Sequence, residues 1–167
     1  MSVGAQPPDR RALCPCRPLA STASHLRPAG MTSAHHTVLA FDFGDKRVGV
    51  ACGNTLLRQA QPLKTIAVQG EARFAAIAAL IREWQPAELV VGVPFHPDGA
   101  EHDNTRRARR FARQLAGRFN LPVREVDERY TTTEAHSQGA RGYALDAASA
   151  AIILAQHFEH TSTGTAP

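Results

Sequence analysis

The stretch VLAFDFGDKRVGVACG, residues 38–53, decides the fold of this chain. Two apolar runs, Val38–Phe43 and Val48–Cys52, flank the turn GDKR, in which Gly44 gives the backbone freedom to bend. This pattern predicts two strands paired through a short turn. It also places Asp42 near the end of the first strand, where a carboxylate is costly to bury, so this residue needs an explanation.

The rest of the chain adds strands and helices in an order typical of a layered α/β domain. LKTIAV (63–68) predicts a third strand and an antiparallel start to the sheet. Helical spacing of apolar residues then predicts two helices, two apolar runs predict further strands, and an Ala/Ile-rich helix follows. The predicted helices are 74–84, 104–119 and 144–158, and the strands are 87–94 and 121–129. This order predicts an α/β fold, a mixed five-stranded sheet with helices on both faces.

Length and composition are those of one globular domain. The chain has 167 residues, of which 43% are apolar and 20% charged, enough for one sheet covered by helices and too few for two such lobes. Residues 1–30 hold four arginines and one aspartate, so only +1 of the net charge of +4 belongs to residues 31–167. A nucleic-acid partner must therefore be argued from local charge. The three cysteines form no disulfide or zinc pattern and no apolar run could span a bilayer, which predicts a cytoplasmic protein without a membrane partner.

Residues 1–36 are predicted to be a disordered leader. The segment is rich in proline and has no apolar periodicity, and Met31, shortly before the first strand, is the expected true start. The predicted domain spans residues 37–160, and a disordered tail is predicted for residues 161–167.

Carboxylates lie at the ends of three predicted elements. Asp42 ends the first strand, Asp127 and Glu128 end the fifth, and Asp146 begins the last helix. Two strands of a mixed sheet can end at one edge, and a helix can begin there, so these side chains are candidates for one cluster. Like charges at close range raise each other's pKa unless a cation neutralises them, and hard divalent ions such as Mg²⁺ prefer oxygen ligands. Each position also has an ordinary explanation, as a turn residue, a surface ion pair or a helix cap.

The second predicted helix carries arginines opposite its apolar stripe. They are Arg106, Arg109, Arg110 and Arg113, and no acidic residue lies one turn further along to cancel their charge. A solvated helix face is the ordinary explanation, and contact with a phosphate backbone is the functional one.

Four segments in order resemble the YqgF family of pre-16S rRNA nucleases, also described as Holliday-junction-resolvase-like proteins. They are LAFDFGDKRVGVACG, LVVGVPFHPDGAEHDNTRRARRFARQL, VDERYTTTEA and LDAASAAIILAQHFE, and the likeness covers residues 37–159. The resemblance implies a ribonuclease-H-like fold and a metal-dependent endonuclease. Its acidic site, carried over to this chain, is Asp42, Glu128 and Asp146.

The same resemblance implies further contacts around the site. Lys46 and Arg129 lie within matching motifs and are expected on the phosphate side, and Asp127 is expected as a supporting or additional ligand. The loop before the last helix, residues 135–145, is shorter than in many relatives, and Arg141 is its expected basic contact.

The leading hypothesis is a nuclease that uses one or two Mg²⁺ or Mn²⁺ ions to process the 5′ end of precursor 16S rRNA. Its partner would be structured RNA, and the protein would act as a monomer or a weak homodimer. An alternative is a Holliday-junction-type resolvase acting on branched DNA, which would need two sites spaced by a dimer. A second alternative is a non-catalytic RNA-binding ribosome assembly factor. Such a protein would be expected to lack one of the acidic residues of the site, and none is lacking here.

Overall fold

The computed structural model describes residues 35–95, 98, 102–128 and 142–162, and within them the chain forms five strands and three helices. The strands are β1 (Thr37–Phe43), β2 (Val48–Asn54), β3 (Gln59–Ile66), β4 (Glu88–Val93) and β5 (Val123–Asp127). The helices are α1 (Gly70–Trp84), α2 (Asp103–Phe119) and α3 (Tyr143–Ser162). Most of the predicted leader and the tail beyond residue 162 lie outside the described residues.

All five strands form one mixed sheet in the order β3-β2-β1-β4-β5. Strand β2 pairs antiparallel with both β1 and β3, whereas β4 lies parallel to β1 and β5 lies parallel to β4. The predicted α/β fold with a mixed five-stranded sheet is therefore confirmed. Because β1, β4 and β5 run in the same direction, their carboxyl ends meet at one edge of the sheet.

Alternation along β1 assigns its side chains to two faces of the sheet. On one face, Leu39 and Phe41 pack into a core formed with α1 and α2. On the other face, Val38 and Ala40 pack against residues of α3, which are Ala150, Ile153, Leu154 and Phe158. Helices thus cover both faces, and the same alternation places Asp42 on the face of α3.

Helix α3 lies very close to the sheet because β2 presents glycine to it. A Cβ atom at Gly53 would lie 2.7 Å from Cε2 of Phe158, and one at Gly49 would lie 1.8 Å from the carbonyl oxygen of Asp146. Neither contact leaves room for a side chain, so the backbone of α3 packs directly on β2 at Gly49. The first turn of α3 is thereby held beside the end of β1.

Strand β3 begins four residues before the predicted start at position 63. Pro62 lies inside the strand, opposite Ala51 and next to a register shift in its pairing with β2. Proline removes one donor from the hydrogen-bond ladder and is tolerated on edge strands and beside bulges. The predicted boundary is wrong because this proline marks a bulge in an edge strand, where the sequence pattern indicated a turn.

The two helices on the other face differ in how well the sequence predicted them. Helix α2 buries Ala108, Phe111, Ala112 and Leu115, as its spacing indicated. Helix α1 begins four residues before the predicted position 74 and buries Arg73 in addition to Ile77 and Trp84. The arginine can be buried because its guanidinium group donates hydrogen bonds to the backbone carbonyl oxygens of Val68 and Asp45.

Within the residues that the structure describes, no helix is both long enough and apolar enough to cross a bilayer. Cys52 is a free, buried thiol in β2.

Candidate active site

Asp42 lies in β1 between two glycines of the neighbouring strands. It pairs with Gly49 of β2 on one side and with Gly92 of β4 on the other. Paired residues of adjacent strands point to the same face, so the flanking side chains that would crowd Asp42 are missing. The carboxylate of Asp42 therefore faces α3, and the places of the two missing side chains are taken by the backbone of Asp146 at Gly49 and by the carboxyl group of Glu128 at Gly92.

Glu128 follows β5 and reaches the space above Gly92. Its backbone N–H donates to the carbonyl oxygen of Val93 at 3.1 Å, which extends the pairing of β4 and β5 by one residue. A Cβ atom at Gly92 would lie 2.0 Å from Oε1 of Glu128, so the carboxyl group occupies the position that a side chain would take. The carboxyl group of Glu128 is hydrogen-bonded to that of Asp42.

Asp146 lies in the first turn of α3 and is the third acidic group. Its side chain is 21% exposed, and Oδ2 lies 3.0 Å from Nε of Arg47 in the turn after β1. Its negative charge raises the pKa of Asp42, so the two carboxylates interact electrostatically. The structure thus brings together the three carboxylates that the sequence singled out.

Burial raises the pKa of two of these groups. The pKa of Asp42 rises to about 6, mainly because the group is buried; the hydrogen bond with Glu128 opposes this rise and the charge of Asp146 adds to it. The pKa of Glu128 rises to about 9 through burial, the charge of Asp42, the hydrogen bond between them and the charge of Asp127. At neutral pH the pair therefore holds one proton, which the carboxyl groups of Glu128 and Asp42 share in their hydrogen bond.

Glu88, at the opposite end of β4, shows what happens to a partly buried carboxylate with basic neighbours. Nε2 of His157 lies 3.2 Å from its Oε1, and Nε of Arg124 lies 3.5 Å from the same atom. The interaction with His157 lowers the pKa of Glu88 although burial opposes this change. No basic side chain of the described residues compensates Asp42 or Glu128 in this way.

The oxygen-only donor set suits a hard divalent cation. Oε1 of Glu128 and Oδ2 of Asp146 are buried atoms without a hydrogen bond in the described part of the structure, so their lone pairs are available. The contact of Asp146 with Arg47 is an ion pair that lacks the direction of a hydrogen bond. Among the described residues, no group of three or more possible ligands is already gathered around one centre.

A cleft of about 330 Å³ opens beside the acidic cluster. It is lined by Phe43, Gly44, Asp45, Pro94, Asn104 and Glu128. The hydroxyl group of Thr105 donates to the carbonyl oxygen of Pro94 at 2.5 Å, which ties the start of α2 to the end of β4. The cleft gives solvent and ligands access to Glu128.

The turn between β1 and β2 is held from two sides. Inside it, the N–H of Gly44 donates to the carbonyl oxygen of Arg47 at 2.9 Å. Nη2 of the buried Arg73 donates to the carbonyl oxygen of Asp45 at 2.7 Å. The guanidinium group of Arg107 contacts the Asp45 carboxylate. These contacts fix the turn that carries Arg47 to the acidic cluster.

The arginines of α2 have unequal surroundings. Nη2 of Arg106 lies 2.8 Å from Oδ1 of Asp103, and Nε of Arg109 lies 3.5 Å from Oε2 of Glu125. The expectation of uncancelled charge is therefore wrong for these two, because one carboxylate lies three residues earlier in α2 and the other on β5. Of the other predicted basic contacts, Lys46, Arg110 and Arg113 are exposed. Arg129 and Arg141 lie outside the described residues.

Three residues that shape the cluster, Gly49, Gly92 and Arg47, were not singled out from the sequence. Each is recognised by its position opposite or beside a carboxylate, which depends on strand pairing. The only sequence signal is a glycine inside each of two apolar strands, at VGV and VVGV, which can mark a close approach of other groups.

The mixed five-stranded sheet with helices on both faces belongs to the ribonuclease-H-like class of folds. The solved structure described as "T. thermophilus RuvC in complex with Holliday junction substrate" matches with a TM-score of 0.51 and 18% sequence identity. The match covers 78% of this chain and 98% of that one. At this identity the likeness concerns the fold.

A family model described as "RuvX: Holliday junction resolvase" matches residues 36–160, and the chain belongs to this family. A protein of Albidiferax ferrireducens is 62% identical over 140 residues, covering 84% of this chain and 88% of its own. A protein of Polaromonas sp. is 62% identical over 126 residues, covering 75% and 90%. Both are named "Putative pre-16S rRNA nuclease". The resemblance seen in the sequence is confirmed, as is the predicted enzyme class, a hydrolase of phosphodiester bonds.

Proposed function

We propose that this protein is a divalent-metal-dependent endonuclease that processes the 5′ end of precursor 16S rRNA during ribosome biogenesis. The observation that carries the proposal is the convergence of Asp42, Glu128 and Asp146, from three separate elements, beside an open cleft. Burying carboxylates together disfavours their charged forms, and such strongly raised pKa values are typical of functional sites. The names of the relatives indicate the RNA substrate.

The three carboxylates would hold one or two Mg²⁺ or Mn²⁺ ions through their oxygens. A bound divalent cation would supply positive charge that stabilises the charge developing on the phosphodiester oxygens. The protein's own contribution is placement: β1, the end of β5 and the first turn of α3 fix the three groups in a partly buried site. Glu128 must release the proton shared with Asp42 before both groups can act as anionic ligands. The negative charge of Asp127 raises the pKa of Glu128 and so opposes this release, although it also adds to the attraction of the site for a cation.

Basic groups near the cleft would bind the substrate backbone. Arg47 lies beside Asp146, and Lys46 is exposed in the same turn. The α2 arginines and, from the sequence, Arg129 and Arg141 are further candidates. Such contacts position a nucleic acid without selecting its sequence.

A cleavage assay tests the proposal directly. The purified chain is incubated with a 5′ fragment of precursor 16S rRNA, with and without Mg²⁺ or Mn²⁺. Wild type is expected to cleave only with the ion, and Asp42→Asn is expected to lose at least about 100-fold in rate. Glu83→Gln, which removes an exposed carboxylate of α1, is the matched control and should cleave like wild type. Wild-type cleavage by Asp42→Asn would overturn the assignment.

Branched DNA is the second candidate substrate, because the family description and the shared fold point to junction resolvases. The same preparation is therefore offered a four-way DNA junction. Symmetric cutting of the junction without cleavage of the RNA would replace the RNA proposal. Binding of RNA without cleavage of either substrate would identify a non-catalytic assembly factor.

The proposed reaction places the protein in the cytoplasm, where bacterial ribosomal RNA matures. Cleavage of one RNA strand needs a single site, so a monomer suffices. Symmetric junction cutting would instead need two copies.

A further inference from the structure

A second cavity lies between α1 and α2, next to the cleft of the acidic cluster. This α1–α2 groove has a volume of about 280 Å³. Its lining includes three arginines, one glutamine and two partly buried aromatic rings, which are Arg73, Arg107, Arg110, Gln114, Phe43 and Phe74. No carboxylate belongs to its lining. A concave surface with several guanidinium groups and no acidic group favours an anionic ligand.

The groove and the cleft are neighbours with one boundary. Phe43 lines both cavities, and Asp45, which lines the cleft, contacts Arg107, which lines the groove. A ligand that extends from the cleft into the groove therefore lies close to Phe43 and the Asp45–Arg107 ion pair.

This ion pair is accessible and exchangeable. The side chains of Arg107 and Asp45 are 54% and 55% exposed. An exposed ion pair adds little to stability, about 0–1 kcal/mol, because water solvates both partners. Arg107 can therefore leave Asp45 for another anion at small cost. The turn stays in place when it does so, because the buried Arg73 holds the carbonyl oxygen of Asp45 independently.

Arg110 is the second guanidinium group available in the groove. Three other arginines of α2 are engaged elsewhere: Arg106 with Asp103, Arg109 with Glu125, and Arg118 with Glu71 through two hydrogen bonds of 2.5 and 2.8 Å. Arg110 is exposed and has no carboxylate partner among the described residues. The groove thus combines one arginine whose partner can be exchanged with one that lacks a partner.

We propose that the α1–α2 groove binds a backbone phosphate of the single-stranded RNA segment next to the scissile bond. Arg107 exchanges Asp45 for this phosphate, and Arg110 provides the second contact. The inference rests on the proposed function, since the occupant is part of the same strand that enters the cleft. Asp45 thereby competes with the substrate for Arg107, and its removal strengthens binding.

The test is RNA binding without cleavage. A fluorescently labelled single-stranded RNA of about 12 nucleotides is titrated with the full chain in EDTA, between about 50 and 200 mM salt. Arg107→Gln and Arg110→Gln are each expected to weaken binding about 5- to 10-fold and to reduce the salt slope by about 0.7. Asp45→Asn is expected to tighten binding about threefold, because asparagine keeps the turn and frees Arg107.

The matched control is Arg82→Gln, which removes one positive charge from the last turn of α1. It lies about 12 Å along the helix from Phe74, the nearest α1 residue of the groove lining, and should change binding less than about twofold. A gain of affinity in Asp45→Asn cannot come from misfolding, so this variant keeps the test decisive if an arginine variant unfolds.

Three results would overturn the inference, and they separate it from the proposed function. If wild type binds and cleaves RNA while the groove variants behave like Arg82→Gln, the groove does not bind the RNA phosphate and the nuclease proposal stands. If Asp45→Asn weakens binding, Asp45 does not compete with the RNA for Arg107. If wild type neither binds nor cleaves RNA in the presence of Mg²⁺ or Mn²⁺, the proposed function fails and the groove fails with it.

Discussion

The carboxyl group of Glu128 occupies the space where Gly92 lacks a side chain, since a Cβ there would lie 2.0 Å from its Oε1. Gly92 is also the residue of β4 that pairs with Asp42. One missing side chain therefore allows two carboxyl groups from strands that are not neighbours in the sheet to share a hydrogen bond.

Gly92→Ala should displace Glu128 and reduce cleavage with a smaller effect on folding. The added Cβ would also lie 2.4 Å from Cδ1 of the buried Ile153, so the ends of two side chains must move and the expected loss of stability is about 1–3 kcal/mol. A displacement of about 1 Å at a catalytic group can cost about 100-fold in rate. Cleavage rates and urea unfolding measure both effects. The control is Gly117→Ala in α2, where a new Cβ meets nothing within 4 Å and should stabilise the helix by about 0.5–1 kcal/mol. Unchanged cleavage by Gly92→Ala would show that Glu128 can act from another position.

Gly49→Ala should act on the fold itself. The added Cβ would lie 1.8 Å from the carbonyl oxygen of Asp146, a backbone atom that can move only with α3. We expect a loss of about 3 kcal/mol or more in the free energy of unfolding, together with loss of cleavage. Chemical denaturation followed by circular dichroism measures the first effect. A variant as stable as wild type would show that α3 shifts easily on the sheet.

Glu128→Gln should stabilise the metal-free protein at alkaline pH while abolishing cleavage. The pKa of Glu128 rises from its ordinary value of 4.5 to about 9, so between these values the folded state holds a proton that the unfolded state has released. Stability of wild type therefore falls as pH rises through this range, by at most about 1.4 kcal/mol per pH unit for one proton. Glutamine cannot ionise and keeps a donor for Asp42, so most of this slope should disappear.

The measurement is the free energy of unfolding in EDTA at several values between about pH 5 and pH 8. Asp42, whose pKa rises to about 6, adds to the slope only in the acidic part of the range. Equal slopes in wild type and Glu128→Gln would contradict the protonated state assigned to Glu128.

Loading of the site with a divalent cation should release protons. At neutral pH the cluster holds the proton of Glu128, and a cation competes with it for the same oxygens. We expect about one proton released per site on addition of Mn²⁺, and tighter binding as pH rises. Calorimetry in two buffers of different ionisation enthalpy gives the number of protons. Glu128→Gln should release none, and a wild type that binds Mn²⁺ without proton release would contradict the shared-proton arrangement.

The sequence predicted those parts of the molecule that depend on local pattern. Alternation along β1 placed Asp42 at the end of a strand, and helical spacing located the buried face of α2. Strand β3 was misplaced because Pro62 has the same appearance in a turn as in a bulged edge strand. The roles of Gly49 and Gly92 depend on which strands pair and in which register. That information arises from long-range contacts, which no local pattern contains.

The close packing of α3 on β2 also has a consequence for protein synthesis. Asp146 is added to the growing chain more than 100 residues after Asp42, and its position depends on a helix that must first leave the ribosome. A nascent chain that has made β1 through β5 thus lacks the third carboxylate of its site. The proposed nuclease would therefore be inactive while it is translated, when the ribosome that makes it is the nearest source of ribosomal RNA.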